Sequence, residues 1–175
     1  MTNTFLRKSF FFLPVTWCIV EIQGFKNDKN ELIVKELFIK KEGELGHFFF
    51  KPPYSWRRLS SKIQRVNSYC TKNIHGFRWE DGRTDYIGLG IILKSRCKDS
   101  TVIFTQGSEK KRFLENYLNQ HVVDVDDILG VAFEKIKTPS TFDGCTFRHD
   151  GFRCAKLNGL KIFEKIKNFI DIFGN

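Results

Sequence analysis

The stretch VTWCIVEI, residues 15–22, is rich in β-branched and aromatic residues, so it predicts a central β-strand. Residues that favour turns follow it, first Gln23-Gly24 and then the segment 27–30. The next ten residues, ELIVKELFIK at 31–40, alternate apolar and polar positions and predict the antiparallel partner of a hairpin.

A third short strand is predicted at residues 48–50, and Pro52-Pro53 ends it. The rest of the chain alternates strands with helices, and the apolar residues 86–93 fit either a strand or a helix. The predicted elements are a helix at 55–69, a strand at 101–105, a helix at 109–119 capped by Ser108, a strand at 122–125 and a helix at 152–172. The order predicts an α/β fold whose mixed central sheet begins as an antiparallel three-strand meander, continues with parallel strands and carries helices on its faces.

Length and composition suit one globular domain spanning 1–175, with enough apolar residues for a core. The formal net charge of +9 favours a polyanionic partner, nucleic acid first and an anionic membrane second. Five cysteines without the regular spacing of a disulfide framework favour a reducing compartment.

Near the N-terminus, Arg7-Lys8 precedes the apolar run 9–20 and resembles the start of a signal peptide. However, no small-residue cleavage site follows, and the run is too short to span a bilayer. We expect an intracellular protein, cytoplasmic or nuclear, with no membrane partner.

The segment from Lys51 to Lys72 contains six Lys or Arg residues and no Asp or Glu, with aromatic residues between them. Cations for phosphates and rings for base stacking are what single-stranded nucleic acid requires. The candidate nucleic-acid-binding residues are Tyr54, Trp56, Arg57, Arg58, Lys62 and Arg65. The alternative is the solvated face of an amphipathic helix.

A group of candidate metal ligands lies near the C-terminus, where Cys145, His149 and Cys154 fall within ten residues of one another. Thiolate and imidazole are preferred zinc ligands, and a carboxylate can complete the tetrahedron. The alternative is two buried thiols and a surface histidine, since free cysteine is often simply part of a core.

The element order resembles the exonuclease branch of the ribonuclease H-like superfamily. That resemblance implies four acidic residues around two divalent metal ions. The corresponding positions hold Glu21 and Gln23 on the first strand, Lys110 beside Glu109 in a middle helix, and Asn158 in the last helix. Only Glu21 keeps the acid, and a lysine would repel Mg²⁺, so we expect no two-metal site and assign no catalytic residue.

The chain also resembles the Maelstrom domain, a ribonuclease H-like module of small-RNA and transposon-silencing pathways. Cys145, His149 and Cys154 reproduce its Cys-x-x-x-His followed by Cys near the final helix. The resemblance implies a structural zinc held by these three residues and Glu21, and it favours RNA as the partner.

Several alternatives stay open. Cys70 and His75 could supply the fourth zinc ligand, and Cys18, Cys70 or Cys97 could pair with a histidine as a nucleophile. A working nuclease could use Glu21 with Glu109 and Mg²⁺ or Mn²⁺, or cleave without metal. A protein-interaction module could use a sheet edge or exposed phenylalanines.

Overall fold

The computed structural model describes residues 16–129 and 154–173. Within these residues there are five strands: Trp17–Lys26 (β1), Leu32–Lys41 (β2), Glu44–Phe49 (β3), Val102–Thr105 (β4) and His121–Asp124 (β5). The α-helices are Ser61–Cys70 (α1), Leu89–Cys97 (α2), Ser108–Glu115 (α3), Val125–Leu129 (α4) and Ala155–Phe173 (α5). The described part of the chain also contains 3₁₀ turns at Trp56–Arg58 and Tyr86–Gly88 and a π-helical turn at Thr71–His75.

The strands form one mixed sheet in the order β3-β2-β1-β4-β5. β1 pairs antiparallel with β2, which pairs antiparallel with β3, whereas β4 lies parallel to both β1 and β5. The predicted α/β class, with a meander first and parallel strands afterwards, is therefore confirmed.

The predicted turn at Gln23-Gly24 is wrong, because β1 continues to Lys26 through a β-bulge between these two residues. A Cβ atom on Gly24 would lie 2.1 Å from the carbonyl oxygen of Ile33, so only glycine allows the two strands to approach this closely. The turn at 27–30 is confirmed, and Asn27 organises it by accepting hydrogen bonds from the amides of Lys29 and Glu31.

Two helix predictions need correction. The predicted helix at 55–69 is a 3₁₀ turn followed by α1, because Ser60 adopts an extended conformation and accepts a hydrogen bond from the amide of Ile63. Ser108 is the first residue of α3 and not its cap, since Gly107 precedes it at a φ of 101°. The apolar segment 86–93 is helical, as the second 3₁₀ turn and the start of α2.

The sheet is covered on both faces because alternate residues of β1 point to opposite sides. Cys18, Val20 and Ile22 join a cluster with α2 and α3 that includes Leu93 and Leu114. Ile19 faces the other way and packs against Ile162, Phe163 and Ile166 of α5. None of the helices within the described residues is long and apolar enough to cross a bilayer.

A third cluster lies at the end of β1, where Phe25 meets Leu59, Phe77 and Trp79. Asn67 of α1, which is fully buried, holds the helix there. Its amide group donates to the carbonyl of Lys26 at 2.8 Å, and its side-chain oxygen accepts from the amide of Lys26 at 3.0 Å. The basic segment is thus fixed against the sheet by apolar packing and a paired hydrogen bond.

Candidate nucleic-acid interface and buried carboxylates

The predicted basic residues lie on a 3₁₀ turn and on helix α1 at one end of the sheet, and a serine caps each of these elements. Ser55 caps the first 3₁₀ turn, which carries Arg57 and Arg58, and Ser60 caps α1, which carries Lys62 and Arg65. The side chains of all four basic residues are exposed. None of them forms an ion pair with a carboxylate of the described residues, whereas nearby Lys51 pairs with Asp85 at 2.8 Å.

One acidic group approaches this surface from a distant part of the chain. Asp28, in the turn between β1 and β2, accepts hydrogen bonds from the amide of Ser60 at 3.2 and 3.3 Å. The carboxylate is placed at the N-terminus of α1, where the helix dipole favours a negative charge. The sequence segment 51–72 contains no acid, so this contact could be found only in the structure.

The two predicted stacking residues have different environments. Tyr54 and Trp56 each lie 5.6 Å from the buried Trp79, measured between ring centroids, and Arg58 covers the Tyr54 ring at 5.8 Å. Burial raises the pKa of Tyr54 above its usual value. Trp56 is half-buried like Tyr54, but it also lines a pocket beside α1.

This pocket has a volume of about 580 Å³ and lies between α1, the π-helical turn and the loop at 78–81. Trp56 and Trp79 supply its aromatic surface. Lys72 and Arg78 supply positive charge, and Glu80 and Asp81 supply negative charge. We call it the tryptophan pocket; its lining also includes Ser68 and Thr71.

The loop at 78–81 is held by a buried cation. Lys35 of β2 is 2% exposed, and its ammonium group donates to the carbonyls of Trp79, at 2.7 Å, and Asp81. Burial lowers the pKa of Lys35 to about 8, while Asp81 and Glu80 act in the opposite direction. A further bond, from the amide of Arg78 to the Asp81 carboxylate at 2.7 Å, closes the turn.

Glu21 is fully buried and is surrounded by donors. One carboxylate oxygen accepts from the amide of Gln106 at 2.7 Å and the hydroxyl of Thr105 at 3.2 Å. The other accepts from the ammonium of Lys110 at 2.5 Å and the amide group of Asn158 at 3.1 Å. An ion pair and three hydrogen bonds therefore compensate for the burial of this charge.

Glu21 thus contacts Lys110 and Asn158, two of the other three positions that the exonuclease resemblance selects. An ammonium group and an amide lie where that resemblance implies acids. The Lys110 ammonium already supplies positive charge to Glu21, so a divalent cation at the same carboxylate would be repelled.

A second buried carboxylate, Glu36 of β2, lies at the start of α5 and was not predicted from the sequence. It accepts from the Cys154 thiol at 3.4 Å, from the amide of Ala155 at 2.9 Å and from the ring of His47 at 2.8 Å. His47 and Cys154 are 107 positions apart (154 − 47), so no local spacing could have indicated this group.

The donor types around Cys154 suit zinc better than those around Glu21. Thiol, carboxylate and imidazole are zinc ligands, and Cys154 and Glu36 are already in contact. Of the predicted metal residues, Cys145 and His149 lie outside the described residues. Within 16–129 and 154–173, no group of three or more His, Cys, Asp or Glu side chains is arranged to hold a metal ion.

The other candidate residues serve the fold. Cys18 and Cys97 are buried with their sulfurs 3.9 Å apart. His75 is buried with Nε2 bonded to the carbonyl of Gly24 and Nδ1 bonded to the amide of Phe77, so neither nitrogen is available to a metal. Asp124, at the end of β5, has a similar structural role: it accepts hydrogen bonds from the amides of Gly107 and Asp126 and orders the start of α4.

Comparison with known proteins found no matching family model, no similar curated protein and no similar solved structure.

Proposed function

We propose that this chain is a ribonuclease H-like domain that binds single-stranded or structured nucleic acid, with RNA favoured, through the surface around α1. The observation that carries the proposal is the set of four exposed cations, Arg57, Arg58, Lys62 and Arg65, without carboxylate partners among the described residues. Exposed cations next to aromatic rings supply both the phosphate and the base contacts of single-strand binding.

Two further observations support the proposal. The strand order, with three antiparallel strands followed by two parallel ones, is consistent with the ribonuclease H-like relationship. The contact between Lys110 and Glu21 also favours binding over two-metal cleavage, because it places an ammonium group at the carboxylate that such cleavage would require.

The test is replacement of Arg58, Lys62 and Arg65 together by Ala. We expect weaker binding of short RNA oligonucleotides, and a flatter plot of log affinity against log salt, by about 0.7 for each phosphate that the variant no longer neutralises. Fluorescence anisotropy with RNA and DNA of the same sequence, over a range of salt concentrations, measures both effects and the preference for RNA.

The matched control replaces three exposed cations elsewhere, Lys94, Lys98 and Arg112, by Ala. It changes the net charge equally, so it separates a local surface from a general effect of charge. Equal salt slopes for the two triple variants would contradict the proposed surface. A wild-type chain that retains no oligonucleotide at moderate salt would contradict nucleic-acid binding altogether and favour a protein-interaction module.

We further propose, from the resemblance to the Maelstrom domain, that a structural zinc joins α5 to the sheet through Cys145, His149 and Cys154. Glu21 is the carboxylate implied by that resemblance, and Glu36 is an alternative because it contacts Cys154. When bound, zinc would cross-link these residues and add to folding stability.

Elemental analysis of the purified chain tests this second proposal. We expect one zinc per chain, its loss in Cys154→Ser, and a lower unfolding temperature after chelation. Loss of zinc in Glu36→Gln but not in Glu21→Gln would identify Glu36 as the carboxylate ligand, and the reverse pattern would identify Glu21. A metal-free chain with normal stability would contradict a zinc site.

A further inference from the structure

We infer that the tryptophan pocket is a subsite for a single guanine base of the bound strand. This inference rests on the proposed function and adds base selectivity to it. The pocket volume, about 580 Å³, falls within the range of roughly 300–1,000 Å³ of small-molecule sites. It opens beside the proposed basic surface, so a base could enter while its backbone stays on α1.

The basic surface leads into the pocket along one side of α1. Arg65, Ser68 and Lys72 follow one another at intervals of three and four residues, which places them along one side of the helix and of the turn that continues it. Ser68 and Lys72 line the pocket, together with Thr71. A strand with a phosphate at Arg65 would therefore bring a neighbouring base to the pocket.

Trp56 is the stacking surface. Its ring is held by an edge-on contact with Trp79, which is fixed by a hydrogen bond from its indole to the carbonyl of Tyr54 at 2.9 Å. A fixed ring costs little entropy when a base stacks on it, and base–aromatic stacking accepts any base. Trp56 therefore supplies affinity, and selection must come from the polar groups.

Those polar groups favour guanine. Of the four RNA bases, guanine alone presents two adjacent donors on its Watson–Crick edge, N1–H and N2–H₂, and a carboxylate accepts both. Single-stranded recognition leaves this edge accessible. Glu80 is exposed and makes no hydrogen bond or ion pair with another described residue, so its carboxylate is available. Asp81 already accepts the amide of Arg78, and it orders the turn.

Lys35 fixes the backbone on either side of Glu80. Its ammonium bonds to the carbonyls of the residues on either side of Glu80, Trp79 and Asp81. The loop is therefore held at a buried point of β2, in addition to the bond between Arg78 and Asp81 that closes the turn. Lys72 and Arg78 offset the two carboxylates at the pocket, which keeps the entrance favourable for a phosphate.

The test uses RNA octamers of uridine with one central guanosine, inosine or adenosine, measured by fluorescence anisotropy. Inosine lacks only the 2-amino group of guanosine, so it removes one of the two donors. We expect the guanosine octamer to bind roughly fivefold to a hundredfold more tightly than the other two, the range for one bidentate contact. Glu80→Gln should remove this preference, whereas Glu115→Gln, an exposed glutamate on α3, should keep it.

Trp56→Ala should weaken all three octamers, and Trp56→Phe should retain binding, because a smaller ring still stacks. Circular dichroism of each variant checks that the fold is intact. Equal affinity for guanosine and inosine octamers, or a preference that survives Glu80→Gln, would overturn the guanine subsite. If octamers bind through α1 without selectivity, only the subsite fails; if wild-type protein binds none of them, the proposed function fails as well.

Discussion

At the scale of single residues, the contact between Glu21 and Lys110 has a measurable energetic consequence. Glu21 is fully buried and takes its main charge compensation from the Lys110 ammonium at 2.5 Å. Removing one partner of a buried pair leaves an uncompensated charge, which costs about 3–5 kcal/mol. We expect Lys110→Met to lower the free energy of unfolding by roughly 3 kcal/mol, at the low end because Lys110 is partly exposed.

A second variant completes this experiment. Glu21→Gln in the Lys110→Met background removes the orphaned charge and should recover most of the stability. Urea unfolding of the two single variants and the double variant gives the coupling energy. Lys94→Met, at an exposed position on α2, is the control and should be neutral. A Lys110→Met protein as stable as the wild type would mean that Glu21 does not depend on this ammonium.

The polar residues of β2 show what the sequence could not predict at this scale. The pattern of apolar and polar residues in 31–40 predicts a strand but does not indicate that Lys35 and Glu36 are both buried. They point to opposite faces, and each finds its partners in a remote segment: the loop at 78–81 for Lys35, and His47 and Cys154 for Glu36. Such pairings depend on tertiary structure, so no local pattern contains them.

At the scale of elements, the packing of α5 on the sheet depends on Gly159. A Cβ atom there would lie 2.3 Å from the ring of Phe38, which is fully buried on β2. Alanine improves helix propensity by about 1 kcal/mol, but overpacking a core costs about 1–3 kcal/mol. We expect Gly159→Ala to lower the free energy of unfolding by up to about 2 kcal/mol in urea titrations.

Gly90 offers a matched comparison within α2. A Cβ atom there would be 3.4 Å from Tyr117, close to an ordinary van der Waals contact. Gly90→Ala should therefore be neutral or stabilising by up to about 1 kcal/mol. If both alanine variants gave the same change, helix propensity alone would explain them and the close approach to Phe38 would have no energetic role.

Element types were more predictable than element ends. β1 and β2 were recognised because β-branched residues and alternation are strong signals. The end of β1 was misplaced because Gly24 commonly marks a turn, whereas here it allows a bulge. The helix at 55–69 was predicted too long because apolar spacing continues across Ser60, whose capping role interrupts the helix.

At the scale of the whole molecule, the three apolar clusters share one sheet. β1 contributes Val20 to the first cluster, Ile19 to the second and Phe25 to the third. Unfolding of β1 would therefore remove packing contacts from all three clusters. We predict one cooperative unfolding transition, as for a single domain.

Two tryptophans report on different clusters. Trp17 packs on Phe163 at 4.9 Å and belongs to the second cluster, whereas Trp79 belongs to the third. Variants that retain only Trp17 or only Trp79, with phenylalanine at the other tryptophan positions, should each give one urea midpoint that agrees with far-UV circular dichroism of the same variant. Separate midpoints for the fluorescence and the circular dichroism would indicate independently unfolding units.

The overall topology was predictable because element order alone limits the possible sheets. The candidate site was predictable only in part. The cations of 57–65 are local in sequence, but the tryptophan pocket also requires the loop at 78–81 and Lys35, which the fold brings together.

The central place of β1 has a consequence for protein synthesis. This strand is translated before its partner β4, which follows only after α1 and α2, so one edge of an apolar strand has no neighbour while the ribosome is still elongating the chain. Open strand edges pair readily with other chains. Nascent polypeptides of this protein should therefore depend on chaperones, and slower translation between β3 and β4 would prolong their exposure to aggregation.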